Sequence, residues 1–159
     1  MVRNRTNHEV ARIFYRLALL LEYQEVPFKP RAYRRAAAEI EAFSEVIERV
    51  WREGQLEKLP GVGVNIANKI DEYFRTGKVA TLERLKREVP VDVRVLEIDG
   101  IGPKTARRLH EALGVRDLDD LRQVVEAGRL RELKGLGKKF EGQIRKSLTS
   151  VKDSKADDH

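Results

Sequence analysis

The chain has 159 residues, 36% of them charged, with a net charge of +6 and a pI near 9.6. That length allows one domain or two small ones, and 41% hydrophobic content is enough for a folded core. The lack of cysteine excludes disulfides, cysteine-zinc sites and a thiol nucleophile, no apolar run reaches membrane-span length, and the basic balance suits a polyanion without naming one.

The elements read as helices throughout. Thr6 and Glu9 form a capping box ahead of a helix with Val10, Ile13, Phe14, Leu17, Ala18, Leu20 and Leu21 on one broad face, ending near Tyr23. Pro27 and Pro30 bracket a connector with Phe28 and Lys29. A second, alanine-rich helix over 31–42 turns Tyr33, Ala37 and Ile40 inward. Ser44 is placed to cap a third, which carries Val46, Ile47, Val50 and Trp51 and runs to Arg52. Gly54 interrupts it. A helix over 64–75 follows, stopped at Thr76-Gly77, and Thr81 caps a short helix over 82–88. Residues 91–95 alternate like a strand, but a lone strand has nothing to pair with, so helix is preferred. Gly114 ends the next helix, Asp117 caps one bearing Leu118, Leu121 and Val125, and Gly128 breaks it. Residues 152–159 are polar and expected to fray. The reading is all-α, in two small helical lobes at 1–78 and 79–148, the boundary between them a soft one between Gly77 and Pro90, with a flexible tail at 149–159.

One pattern recurs. Leu59-Pro60-Gly61-Val62-Gly63 opens into a helix, as do Ile98-Asp99-Gly100-Ile101-Gly102 and, more weakly, Leu133-Lys134-Gly135-Leu136-Gly137. The glycines allow close backbone approach, the apolar residue between them can anchor the loop, and the next helix begins with unsatisfied N–H groups. Those groups and the helix dipole suit a phosphate, a contact that carries no sequence information. A single copy reads equally well as a plain helix-to-helix turn. Repetition with the same downstream apolar spacing (Ile66, Ala67, Ile70; then Thr105, Ala106, Leu109) favours phosphate binding. The third copy has Glu141 where the others have alanine, and a structural role is as good a reading there. Neither a Walker phosphate loop nor a dinucleotide fingerprint fits, since no Gly-Lys-Ser/Thr ending and no βαβ context is present.

These segments resemble helix-hairpin-helix motifs. With Phe28-Lys29-Pro30-Arg31-Ala32-Tyr33-Arg34-Arg35-Ala36-Ala37 and Ala67-Asn68-Lys69-Ile70-Asp71-Glu72-Tyr73-Phe74-Arg75-Thr76-Gly77-Lys78, the run over 7–148 resembles the N-terminal region of family X DNA polymerases. The order matches that family's small lyase domain followed by its duplex-binding domain. The family continues into a palm with a carboxylate triad. Asp119-Asp120 and Asp157-Asp158 do not supply one, so polymerase activity is not expected of these residues. The chain is then either a stand-alone protein of this architecture or the N-terminal part of a longer polymerase.

The resemblance implies further roles. Lys69 matches the lyase nucleophile that forms a Schiff base with the sugar aldehyde of an abasic site. Lys29, Tyr33 and Arg34 match phosphate-binding or pocket positions, and Phe28 a ring that stacks on a template base. Gly61, Val62, Gly63 and Asn65 would hold one phosphate, and Gly100, Ile101, Gly102, Lys104 and Thr105 another. Asn65 and Asn68 depart from the family, where a lysine and an acid are usual. K⁺ or Na⁺ is implied at the backbone carbonyls of Glu57, Leu59 and Val62, and of Leu96, Ile98 and Ile101; no other cofactor is expected. His8, His110 and His159 are too scattered for a transition-metal site. The partner is gapped or nicked DNA, bound without sequence preference and away from membranes. The location is intracellular, with DNA. A non-catalytic DNA-binding module and a protein-interaction scaffold are the competing readings.

Overall fold

The computed structural model describes residues 5–151. The chain divides into two compact units, Met1–Glu88 and Val89–His159. The first holds α1 (Arg5–Tyr23), α2 (Lys29–Ala42), α3 (Ile47–Arg52), a 3-10 turn at Leu56–Lys58, α4 (Val64–Thr76) and α5 (Ala80–Glu88). The second holds α6 (Val93–Leu96), α7 (Gly102–Leu113), α8 (Leu118–Glu126), a 3-10 turn at Arg129–Glu132 and α9 (Lys138–Val151). Among the described residues there is no strand, and residues 93–96, part of the alternating run, form a one-turn helix capped by the Asp92 carboxylate.

In the first unit α1 packs against α2, α3 and α5. Val10, Phe14, Leu17 and Leu20 are buried with Ala36, Ala37 and Ile40, as their helical spacing predicts. Each large apolar side chain so buried contributes about 1.5–3 kcal/mol. The division between the units follows Glu88, inside the soft boundary between Gly77 and Pro90 and ten residues past its nominal 78/79 cut. Its cause is α5, which packs on α1 and buries Leu82 and Leu85, as Val79 just before it is buried. In the second unit α6 packs on α7 and α8, and α8 on α9. Val95, Leu109, Val115, Leu121, Leu130 and Ile144 fill that core.

Two expected helix caps are corrected. Ser44 does not cap α3, which starts at Ile47; the fully buried Asn7 on α1 does. Its Oδ1 accepts from the Ile47 N–H at 2.7 Å, and its Nδ2 donates to the Glu45 carbonyl at 2.8 Å. Thr81 lies inside α5, and the Ala80 N–H at its start is taken by the Glu72 carboxylate of α4 at 2.8 Å. Asp117 caps α8 as expected, its Oδ1 accepting from the Asp120 N–H at 2.8 Å. The Thr6 side chain and residues 152–159 lie outside what is described, whereas 149–151, expected in the tail, close α9.

Candidate nucleic-acid interface

The three hairpins share one hydrogen-bonded form. Leu59 N–H donates to the Leu56 carbonyl and Val62 N–H to Leu59; Ile98 donates to Val95 and Ile101 to Ile98; Leu133 donates to Leu130 and Leu136 to Leu133. A tight turn therefore precedes each loop, a one-turn or 3-10 helix that apolar periodicity could not reveal. The first glycine of each hairpin is left-handed, Gly61 at φ +76°, Gly100 at +96° and Gly135 at +85°. Of the second glycines Gly102 is left-handed, while Gly63 is extended. The residue between them is buried at Ile101 and Leu136, but Val62 is half-exposed. No side chain caps α4 or α7, so the first N–H groups beside Gly63 and Gly102 have no side-chain acceptor, Pro103 having none to offer.

What stands behind each loop differs. A Cβ on Gly61 would lie 3.3 Å from Glu39 Cγ and 3.4 Å from Arg35 Nε, so α2 backs the first hairpin. A Cβ on Gly100 would lie 3.0 Å from Gln143 Nε2 of α9. In return Arg108 of α7 donates to the Lys134 carbonyl of the third hairpin at 2.8 Å. Arg108 and Gln143 occupy the same register in their helices as Lys69 in α4, so this position reaches across to a neighbouring element in the second unit. In the third hairpin Glu141 is buried where the others have alanine, and it is held by Arg131 at 3.3 Å and Arg145 at 3.2 Å.

Lys69 is half-buried on α4, its Nζ 6.0 Å from the centroid of the Tyr33 ring. Tyr33, half-buried on α2, stacks in turn on core Phe14 at 5.9 Å. The lysine is thus set against an aromatic face anchored in the core, which fixes where its amine stands. Asn65, one turn before it, is exposed, as is Asn68. Lys29 is exposed at the start of α2. Arg34 forms an ion pair with Glu22 of α1. Phe28 is 89% exposed and holds a left-handed backbone, φ +68°, a conformation costly for a bulky residue. Val64 at the start of α4 is 78% exposed. In the second unit Lys104 is exposed and Thr105 half-exposed, beside Gly100, Ile101 and Gly102.

Trp51 is half-buried. Its indole N–H donates to Asp71 Oδ1 at 2.8 Å and its ring stacks on Phe74 at 5.0 Å. That bond, then the Arg75 guanidinium, holds the Asp71 carboxyl below its ordinary value. Burial raises the Tyr73 phenol, with Glu9 and Glu48 adding to the effect.

The carbonyls of Glu57, Val62, Leu96 and Ile101 accept no backbone N–H among the described residues, and Pro60 has none to offer Glu57. Leu59 and Ile98 each accept one, which leaves a second lone pair. Uncommitted oxygens of this kind fit a hard monovalent cation. No group of three or more His, Asp or Glu side chains suited to a metal occurs among the described residues, and no described helix is long and apolar enough to cross a membrane.

Residues 5–79 match the helix-hairpin-helix domain and residues 92–150 the SAM-like helix-hairpin-helix tandem. The chain is 33% identical over 142 residues to the DNA polymerase/3'-5' exonuclease PolX of Bacillus subtilis (strain 168), covering 88% of this chain and 24% of that protein. It is 34% identical over 118 residues to DNA polymerase lambda of Arabidopsis thaliana, covering 73% of this chain and 22% of that one. The chain thus spans under a quarter of the length of these relatives. With the three hairpins in place, it is a pair of helix-hairpin-helix domains, a DNA-binding architecture, homologous to family X DNA polymerases.

Proposed function

We propose that this chain binds nicked, gapped or abasic-site DNA through backbone phosphates, without sequence preference, and that Lys69 makes it a 5′-deoxyribose-phosphate or abasic-site lyase of base-excision repair. The observation that carries the reading is the Lys69 amine 6.0 Å from the Tyr33 ring, on a helix whose N-terminus no side chain caps. That N-terminus and the Gly61–Gly63 loop would take a phosphate, while the amine reaches the adjoining sugar. The neutral amine attacks the C1′ aldehyde, and loss of water gives a Schiff base. The iminium acidifies the C2′ hydrogen. Loss of that proton drives β-elimination, and the 3′-phosphate ester leaves.

Other residues fall around this centre. Lys29 is free to hold a 5′-phosphate, and Phe28 offers a ring for an unpaired base. Gly100, Ile101, Gly102, Lys104 and Thr105 form a second phosphate clamp. K⁺ or Na⁺ would be held by the carbonyls of Glu57, Leu59 and Val62, and of Leu96, Ile98 and Ile101, where it would offer positive charge to a phosphate. The place of action we propose is inside the cell, with DNA.

A second reading, a non-catalytic DNA-binding module, is favoured by two features. Asn65 and Asn68 are both uncharged, and Arg34 is engaged by Glu22. Borohydride trapping on DNA bearing a 5′-deoxyribose phosphate separates the two. A covalent adduct is expected with the intact protein, falling at least about 100-fold in Lys69→Ala, as for loss of a nucleophile. Trapping undiminished in that variant sinks Lys69. No adduct at all, with gapped DNA still bound, leaves the binding module.

A further inference from the structure

The second unit holds two hairpins, and each is touched by the helix that follows the other. Gln143 and Ile144 of α9 stand against the second hairpin, where a Cβ on Gly100 would lie 3.0 Å from Gln143 Nε2 and 3.6 Å from Ile144 Cδ1. Ile144 is fully buried, so the exposed carboxamide beside it rides on a helix fixed in the core. Arg108 of α7 donates to the Lys134 carbonyl of the third hairpin at 2.8 Å. The first glycines are not backed alike. Gly61 and Gly100 have side chains against them, whereas a Cβ on Gly135 would meet nothing within 4 Å. The third hairpin is instead tied inward. Leu136 is buried, Glu141 in the first turn of α9 takes Arg131 and Arg145, and Arg145 also donates to the Val125 carbonyl of α8 at 3.3 Å.

We propose that the third hairpin and α9 brace the second hairpin and are not a third phosphate clamp, with Gln143 and Arg108 as the positioning residues. Gly100 and Gly102 both hold left-handed backbone, and a loop with two such glycines has several conformations open to it. A phosphate clamp needs one of them. A wall at van der Waals reach of Gly100 narrows the choice, so the clamp is formed before the strand arrives and less is lost to ordering on binding. The Arg108 bond holds that wall in place, since it ties the helix after the second hairpin to the loop that opens α9. The brace rests on the reading of the second hairpin as a phosphate clamp and is independent of lyase chemistry at Lys69.

The test uses the full chain, with and without an undamaged DNA duplex. Gln143→Ala should weaken duplex affinity about tenfold, as for a clamp formed in roughly a tenth of the molecules. In the free protein it should speed hydrogen exchange at the Ile101 N–H, which bonds to the Ile98 carbonyl within the second hairpin, by a similar factor. Gln143→Met, which keeps the length of the side chain but not its amide, should restore both, as a direct bond from the amide to DNA would not. Arg108→Ala should also speed exchange at Ile101, and Arg108→Lys should return it towards the parent. In Gly102→Ala, where the new Cβ meets no other group but strains a left-handed position, Gln143→Ala should cost no further affinity. Lys138→Ala with Lys139→Ala should leave the slope of log affinity against log salt unchanged. A fall of about 0.9 or more there makes the third hairpin a clamp and overturns the brace. So does parent-like exchange at Ile101 in Gln143→Ala, or a cost that adds in full to that of Gly102→Ala. Circular dichroism of each variant should match the parent. A parent that binds no duplex refutes the clamp itself, and exchange at Ile101, which needs no DNA, then decides whether α9 holds the loop.

Discussion

At the scale of single residues, position in the fold decides what a common side chain does. Lys69 is one of many basic residues, and its amine stands against an aromatic face that is itself pinned to Phe14. Its counterparts Arg108 and Gln143 spend the same register on contacts between hairpins. Asp71 shows the same dependence on place, its carboxyl held low by the Trp51 indole and then Arg75. A folded pKa below the ordinary carboxylate value means that its contribution is complete above that ordinary value and is lost as pH falls through the folded one. The difference in urea stability between the parent and Asp71→Ala should therefore be present at neutral pH and shrink in acid. The sequence made Lys69 visible because its register and neighbours match a known motif. It did not mark the bond from the Trp51 indole to Asp71, which joins α3 to α4 across twenty residues.

At the scale of elements, apolar spacing was enough to locate the helices, because burial repeats along the chain at the helical period. The starts of α3 and α5 were not legible. Their first N–H groups are satisfied by Asn7 and by Glu72, side chains on other helices, while the search for a cap looks only at adjoining residues. Asn7→Ala should remove a buried acceptor and donor together and cost about 1–3 kcal/mol, read from the urea midpoint. Ser44→Ala, at the residue that local rules favour, should stay within about 0.5 kcal/mol. The third hairpin was ambiguous for a related reason. Glu141 breaks the alanine pattern, and the fold accepts it because Arg131 and Arg145 reach it from two directions.

At the scale of the whole molecule, two helical units present the same turn three times in a chain of net charge +6. If the first two hairpins each hold one phosphate, duplex affinity should follow salt with a slope of about −1.8, a loss of about 12-fold from 50 to 200 mM. That slope should be the same for unrelated DNA sequences when measured by titration. The order of the motifs along the chain was legible, and the edge of the first unit only as a stretch, since Val79, Leu82 and Leu85 look alike whichever core they join. The borrowed caps carry a last consequence, for how the first unit comes together. A helix as short as α3 cannot outlast its own nucleation cost in isolation. Because Asn7 completes it from α1, and Glu72 completes α5 from α4, neither can persist before its donor helix has docked. Assembly of the first unit is therefore all-or-none across chain distance: opening α1 releases α3 with it, and the unit has few half-formed states in which to linger.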